Sequence, residues 1–192
     1  MRIITGTARG TKLAALEGTA TRPTAERLKE AIFSSIQFDI EGREVLDLFA
    51  GSGQLGLEAL SRGAANAMFV DASYDAITVV KANAQKTHLF DRARFLASDY
   101  RSYLRKAAGR DSYGLIFIDP PYAEIPVGEV LERVLEAGVA KPGCLLVCES
   151  GEAAIFEGRA SLAARFRVLK EGRYSHSYLH ILSPVPEDDP YL

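Results

Sequence analysis

The stretch LIFIDPPY, residues 115–122, combines the residue types that could hold a flat base. Four apolar residues lead into Asp119, which is followed by Pro120, Pro121 and Tyr122. This order is typical of a buried strand that ends in a functional loop. The prolines fix their own φ and have no N–H, so the loop is stiff and its carbonyls are left free to accept hydrogen bonds. We therefore expect a carboxylate, carbonyls and a phenol ring to hold a base that bears an exocyclic amino group.

A second motif, GSGQLG at residues 51–56, matches the pattern G-x-G-x-x-G between a predicted strand and a predicted helix. Its glycines permit a tight turn and let a ligand approach the backbone, which suits any cofactor that contains adenosine. Asp71, at the end of the next strand, could accept hydrogen bonds from ribose hydroxyls, and Asp99, one strand later, from an adenine amino group. A dehydrogenase would leave residues 119–122 without a role, whereas a methyltransferase uses all of these residues.

The acidic residues and the last glycine also have a purely structural interpretation. Asp47 could cap the helix after GSGQLG, and Asp71 and Asp99 could be the N-caps of their own helices. Gly56 could serve only helix packing. Because four aspartates at strand ends coincide with the glycine motif, we favour the ligand-binding interpretation.

Strands and helices alternate along most of the chain. Strands are predicted over residues 44–49, 66–71, 92–99, 112–119 and 143–149, and helices over residues 55–62, 74–88, 100–108 and 127–137. Two late strands, 166–169 and 178–182, are predicted to form an antiparallel hairpin joined through EGRYS. This alternation implies an α/β fold with a doubly wound, mostly parallel, seven-stranded sheet. If the first strand lies beside the fourth, the two motifs face each other at the carboxyl ends of the strands.

The N-terminal part of the chain has a different pattern. Residues 2–5 and 12–16 are predicted to pair as a β-hairpin across the turn-rich GTARGT. An amphipathic helix is predicted after Pro23, with apolar positions 25, 28, 32 and 36 on one face and Arg22, Glu26, Arg27 and Lys29 on other faces. We expect residues 1–20 to be an extension, residues 21–184 to be one domain and the acidic residues 185–192 to be disordered.

The charge of the chain is low but unevenly distributed. The 192 residues carry a formal net charge of −2, which excludes a general polyanion binder, yet residues 1–16 contain Arg2, Arg9 and Lys12 and no acid. A basic face that touches its partner locally and a merely solvated surface explain this equally well. No apolar run approaches the length of a membrane span and residues 1–10 have no apolar signal region, so we expect a cytoplasmic protein.

Two cysteines, Cys144 and Cys148, fall on one face of a predicted strand. Because no nearby histidine cluster completes a ligand set, we expect free buried thiols and no metal site.

The combination of motifs resembles a known family. DLFAGSG at residues 47–53 followed by DPPY at residues 119–122 resembles the class I methyltransferases that use S-adenosylmethionine and modify exocyclic amines of nucleobases. MRIITGTARGTKL and TRPTAERLKEAIF are similar, more narrowly, to the RsmD-type 16S ribosomal RNA guanine-N2 methyltransferases. The resemblance covers nearly the whole chain up to Pro184. It implies a Rossmann-like class I methyltransferase domain over residues 21–184 and methylation of a guanine N2 amine in small-subunit ribosomal RNA.

The resemblance also implies roles for individual residues. Asp47 would lie near the methionine ammonium of S-adenosylmethionine, and S-adenosylhomocysteine would be the product. The cofactor-binding residues would be Asp47, Phe49, Ala50, Gly51, Ser52, Gly53, Asp71, Asp99 and Tyr100. At the target, Asp119 and the Pro120 carbonyl would accept both hydrogens of the amine, and Tyr122, after Pro121, would stack on the extruded base. Related enzymes tolerate Asn at the position of Asp119.

RNA is expected to contact the basic residues Arg2, Arg9, Lys12, Arg22 and Arg27. Selecting one guanine in protein-free RNA is difficult for so small a basic surface, so we expect the substrate to be a partly assembled small subunit. No membrane and no metal are expected as partners. Three alternatives stay open: a DNA adenine-N6 methyltransferase, which shares DPPY, a nicotinamide-dependent oxidoreductase, and a noncatalytic RNA-binding module.

Overall fold

A computed structural model describes residues 1–16, 23–121 and 123–186 of the chain. The strands are β1 (Glu44–Asp47), β2 (Asn66–Asp71), β3 (Ala93–Ala97), β4 (Tyr113–Ile118), β5 (Ala140–Ser150), β6 (Phe166–Tyr174) and β7 (Ser177–Pro184). The α-helices are α1 (Pro23–Ile36), α2 (Gln54–Ser61), α3 (Tyr74–Lys86), α4 (Tyr100–Ala107), α5 (Val127–Ala137) and α6 (Ala160–Ala163), and a 3-10 turn covers Phe90–Arg92. In the described residues, no helix is long and apolar enough to cross a membrane.

The described strands form one sheet in the order β3-β2-β1-β4-β5-β7-β6. The pairs among β1 to β5 are parallel, whereas β7 runs antiparallel to both β5 and β6. The order reverses between β1 and β4, the position where doubly wound sheets leave a crevice at the carboxyl ends of their strands. The predicted fold class is therefore confirmed, including the first strand beside the fourth.

Strand β4 is buried over its whole length and contributes to both hydrophobic cores. Leu115 and Phe117 pack into the core on one side of the sheet, and Ile116 and Ile118 into the core on the other side. A continuous apolar run fits this position, because a central parallel strand is covered by helices on both faces. The strand thus fixes the position of Asp119, the residue that follows it.

Two predicted connections differ in the structure. The N-terminal hairpin has a single bridge, between Arg2 and Lys12, because turns occupy most of residues 5–10. In the closing hairpin, EGRYS is mostly strand rather than a link. The chain turns at Ser175, whose φ of 60° is left-handed, and strand pairing resumes at Ser177.

Lys29, which the sequence places with Arg22, Glu26 and Arg27 outside the apolar face of its helix, is nevertheless buried. Its side chain is 3% exposed, and its Nζ lies 3.0 Å from Glu58 Oε2 and donates to the Arg2 carbonyl at 3.0 Å. Leu28 and Ile32 on the same helix are buried as expected. A charged residue is buried here because α2 supplies a buried counter-charge.

Candidate active site

The glycine motif and the DPPY motif begin at the ends of neighbouring strands. Asp47 at the end of β1 is paired in register with Phe117, two residues before Asp119. The Leu48 N–H then donates to the Phe117 carbonyl at 3.2 Å, which continues the pairing beyond β1. The two motifs therefore leave the sheet side by side at its carboxyl edge, the place where doubly wound sheets bind their ligands.

The glycines of residues 51–56 serve different purposes. Gly51 has a φ of 53°, and a Cβ placed on it would meet nothing within 4 Å, so this glycine leaves open space beside the backbone. A Cβ on Gly53 would lie 2.2 Å from Val80 Cγ2, and one on Gly56 would lie 2.4 Å from the Phe69 ring. Close packing accounts for Gly56, as its structural interpretation proposes, whereas Gly51 is the glycine that a ligand could approach.

Asp47 is a buried carboxyl group at the start of α2. Its Oδ2 accepts a hydrogen bond of 3.0 Å from the Gly56 N–H, in the first turn of the helix. Burial raises the pKa of Asp47 to about 7; the bond from Gly56 opposes this rise, and nearby Asp71 adds to it. The group is therefore poised between its neutral and charged forms near neutral pH.

The carboxylates of Asp71 and Asp99 lie at the ends of the next two strands. Asp71 accepts from the Gly51 N–H at 2.9 Å and from the Ser73 N–H at 2.8 Å, so it ties the glycine loop to β2. Ser73, and not Asp71, is the N-cap of α3, whereas Asp99 caps α4 by accepting from the Ser102 N–H at 3.0 Å.

Both aspartates keep some capacity to bind a ligand. The hydrogen bonds to Ser102 lower the pKa of Asp99 and favour its charged form. An ionised carboxylate has about four acceptor positions, so Asp71 and Asp99 can still accept bonds from hydroxyl or amino groups.

Phe49 and Tyr100 form an aromatic wall next to the glycine loop. Their ring centroids are 5.3 Å apart, and the Tyr100 hydroxyl donates to Glu129 Oε1 at 3.0 Å. Tyr100 is buried and Phe49 is partly exposed. Glu129 also forms an ion pair with Arg101. No motif in the sequence indicates that Glu129 belongs to the site. Of the two rings, Phe49 is the one with exposed surface that a ligand could contact.

The predicted site residues Ala50 and Ser52 of the glycine loop are buried.

The loop after β4 is only partly as predicted. Pro120 is buried and Pro121 is exposed. The expectation that both carbonyls stay free is wrong for Pro121, whose oxygen accepts from the N–H groups of Glu124 at 2.9 Å and Ile125 at 3.1 Å and so closes a turn. Tyr122 lies outside the described residues. The Pro120 carbonyl remains the candidate acceptor beside the Asp119 carboxylate.

The basic residues predicted to contact RNA lie at the surface wherever the structure describes them, and two of them share a cavity. Arg2, Arg9, Lys12 and Arg27 have exposed side chains, and Arg22 lies outside the described residues. Arg2 and Arg9 line a cavity of about 210 Å³ together with Gln54, the first residue of α2. Arg2 and Arg9 therefore adjoin the end of the glycine loop, in a cavity that Glu26 and Glu30 also line.

Sequence reasoning missed the polar residues that attach the N-terminal arm, which we define as residues 1–16. Glu58 on α2 is 0% exposed and accepts from the N–H groups of Ile4 at 2.7 Å and Thr5 at 3.0 Å. Asn83 on α3 is 1% exposed and binds the backbone of Ala14. Glu58 and Asn83 could have been found in the sequence as polar residues on the apolar face of a helix. A polar residue in that position needs a buried hydrogen-bond partner.

Cys144 and Cys148 are both buried free thiols, and burial raises the pKa of Cys144 to about 12. Within the described residues, no group of three His, Cys, Asp or Glu side chains could hold a metal ion.

Comparisons with known proteins identify relatives that share most of the chain. The family described as conserved hypothetical protein 95 matches residues 1–183. YlbH of Bacillus subtilis is 41% identical over 150 residues, which are 78% of this chain and 82% of the relative. Ribosomal RNA small subunit methyltransferase D of Haemophilus influenzae is 32% identical over 151 residues, 78% of each chain. The solved structure of yhhF from Escherichia coli has a TM-score of 0.83 and 29% identity, and the match covers 96% of this chain and 97% of that one.

Proposed function

The chain belongs to the RsmD family of class I methyltransferases, the family described as conserved hypothetical protein 95, and we propose that it methylates the N2 amine of a guanine in small-subunit (16S) ribosomal RNA, with S-adenosylmethionine as methyl donor. The observation that carries the proposal is the position of the glycine motif and the DPPY motif on adjacent strands β1 and β4. One motif suits a methyl donor and the other an amine acceptor. The choice of guanine over adenine, and of RNA over DNA, rests on the family and its named relatives.

The residues at the carboxyl edge fit the proposed cofactor. S-adenosylmethionine, when bound, supplies an electrophilic methyl group on a sulfonium. Gly51 leaves space for a ligand beside the backbone, and the buried Asp47 is the candidate partner of the cofactor's ammonium. Asp71 and Asp99 are the candidate acceptors for its ribose hydroxyls and adenine amine.

Asp119 and the Pro120 carbonyl would act on the acceptor. The lone pair of an exocyclic amine is delocalised into the base, and two fixed acceptors for its hydrogens favour a pyramidal nitrogen with an available lone pair. Orientation of this kind contributes on the order of 7–11 kcal/mol in well-aligned reactions. Proton loss can follow methyl transfer, so the site requires no strong base.

The function is tested by methyl transfer from radiolabelled S-adenosylmethionine to three substrates. These are partly assembled small subunits, protein-free small-subunit RNA and duplex DNA, and the labelled nucleoside is identified by mass spectrometry. We expect N2-methylguanine in RNA, with the partly assembled subunit as the better substrate. Methyladenine in DNA would support the DNA methyltransferase alternative. Thermal stabilisation by NADH and not by S-adenosylhomocysteine would favour an oxidoreductase, and cofactor binding by neither would favour a noncatalytic module.

The pKa of Asp47 makes cofactor affinity dependent on pH. A cationic ammonium near Asp47 favours the carboxylate, so binding lowers the pKa of Asp47 from about 7 and releases a proton. We therefore expect affinity for S-adenosylhomocysteine to rise, by up to about tenfold for one unit of pKa shift, between pH 6 and pH 8. Calorimetric titration across this range measures the effect. Asp47→Asn should remove the pH dependence, and a flat wild-type profile would place the ammonium elsewhere.

The basic residues of the arm should bind RNA phosphates. We expect the double variant Arg9→Ala/Lys12→Ala to weaken RNA binding and to reduce the slope of log affinity against log salt by about 1.4, or ~0.7 per lost phosphate contact on single-stranded RNA. Filter binding between 50 and 200 mM salt measures the slope. Lys106→Ala/Arg110→Ala, which removes the same charge from two exposed positions, one in the last turn of α4 and one just after it, is the matched control. An equal change in both variants would mean that the arm has no specific role.

We also propose that residues 1–20 are an extension of a methyltransferase domain over residues 21–184. Contacts near the two ends of the described chain support these boundaries. The arm packs on α1 and α2, and the Val185 N–H donates to the Arg165 carbonyl at 2.9 Å beside β6. Residues 187–192 lie outside the described residues, so the disorder of the acidic tail stays a prediction.

A further inference from the structure

Asn83 joins the N-terminal arm to the glycine loop through one buried amide group. Its Oδ1 accepts from the Ala14 N–H at 2.8 Å, and its Nδ2 donates to the Ala14 carbonyl at 3.0 Å and to the Ser52 carbonyl at 2.9 Å. Ser52 lies between Gly51 and Gly53 in the loop that would contact the cofactor. These three hydrogen bonds join Asn83 to both segments among the described residues, so neither segment can move without affecting the other.

The same arm is also attached to α2, the helix that begins directly after the loop. Ser61 Oγ donates to the Thr5 carbonyl at 2.6 Å and accepts from the Ala8 N–H at 3.0 Å. The approach is so close that a Cβ on Gly6 would lie 1.8 Å from the Ser61 carbonyl oxygen. The arm therefore contacts the helix that follows the glycine loop and reaches the loop itself through Asn83, with Arg2 and Arg9 at the cavity beside Gln54.

From this arrangement we infer that Asn83 is a positioning residue that couples the cofactor site to the RNA-binding arm. Cofactor binding that orders the Ser52 carbonyl also orders Ala14 and the arm, so each ligand strengthens binding of the other. The identity of the two ligands rests on the proposed function. The link between loop and arm is made chiefly by the hydrogen bonds of Asn83, beside one contact of 3.3 Å from Ser52 Oγ to Met1 Sδ.

Asn83→Asp tests the coupling with a side chain of the same size. The aspartate can still accept from the Ala14 N–H but cannot donate to the carbonyls of Ala14 and Ser52 when ionised, so the link to the loop is lost. The matched control is Thr87→Val, one turn after Asn83 at the C-cap of α3. Thr87 is buried and its Oγ1 donates to the Asn83 and Ala84 carbonyls, but it contacts neither the arm nor the loop.

The first measurement is amide hydrogen exchange with and without S-adenosylhomocysteine, which requires no RNA. In the wild type and in Thr87→Val, we expect the ligand to slow exchange at Ile4, Thr5 and Leu13 by about fivefold or more, the lower end of typical coupling. In Asn83→Asp, the ligand should still slow exchange in the glycine loop but leave these arm amides unchanged. Equal protection of the arm in all three proteins, or no protection in the wild type, would overturn the inference.

The second measurement is the affinity for small-subunit RNA with and without S-adenosylhomocysteine. The ratio of the two affinities should equal the ratio obtained by titrating the ligand with and without RNA, because coupling is reciprocal. We expect a ratio of about five or more in the wild type and in Thr87→Val, and about one in Asn83→Asp. A ratio that Asn83→Asp leaves unchanged would contradict the inference. If the wild type does not bind small-subunit RNA at all, the proposed function is contradicted instead. The hydrogen-exchange experiment would still test the coupling, because it uses no RNA.

Discussion

Asp119→Ala is expected to lower kcat for methyl transfer by about 10²- to 10³-fold, the range seen when one preorganised hydrogen-bonding group is removed from an active site. Asp119 follows the buried strand β4, and its carboxylate is one of two candidate acceptors for the hydrogens of the target amine. Alanine removes that acceptor, while Asp47 keeps its bond from the Gly56 N–H and Asp71 its bond from the Gly51 N–H. The affinity for S-adenosylhomocysteine should therefore stay nearly unchanged. Single-turnover kinetics and calorimetry of the same preparation measure the two quantities.

Asp119→Asn is the matched control for this prediction. The amide keeps a carbonyl oxygen that can accept one hydrogen of the amine, so this variant should retain more activity than the alanine variant. Equal loss in both variants would mean that the charge of Asp119 matters and not its capacity to accept. A parallel loss of cofactor affinity would assign Asp119 to the cofactor side of the site.

Most elements that build the site were predictable because their signals are local. The ranges of β2 and α5 agree with the predictions at both ends, since an alternating or helical apolar pattern is bounded by turn residues on each side. The position of β1 beside β4 was only a condition of the sequence argument, and the structure shows that pairing. Together these features determine where Asp47 and Asp119 lie.

The features that the sequence did not predict depend on contacts between distant segments. The Pro121 carbonyl is used in a turn because the chain bends back and brings the N–H groups of Glu124 and Ile125 to it. The burial of Lys29 depends on Glu58, a residue of a different helix. A pattern within one helix identifies the face of a residue but not what covers that face, so such pairs become visible only in the folded chain.

Glu58→Ala is expected to lower the free energy of unfolding by about 3–5 kcal/mol, the cost of breaking a buried ion pair by removing one partner. Glu58 is 0% exposed, pairs with Lys29 and with Arg62 Nε at 2.8 Å, and accepts from the N–H groups of Ile4 and Thr5. Alanine leaves the buried Lys29 and two backbone N–H groups without these acceptors. Urea denaturation at pH 7 measures the loss. Glu132→Ala, which breaks an exposed pair with Arg159, should change stability by less than about 1 kcal/mol.

The pH dependence of this loss shows how much of it comes from the uncompensated charge of Lys29. Burial lowers the pKa of Lys29 and the charge of Glu58 opposes that shift, so without Glu58 the pKa falls further. The folded state then binds fewer protons than the unfolded state between the lowered and the ordinary pKa of lysine, and stability rises with pH in that window. The deficit of Glu58→Ala should therefore shrink as pH rises from 7 towards 10, and Lys29→Met in the same background should recover much of it at pH 7. If the loss of stability in Glu58→Ala does not change with pH and Lys29→Met does not reduce it, the loss comes instead from the N–H groups of Ile4 and Thr5, which no longer have an acceptor.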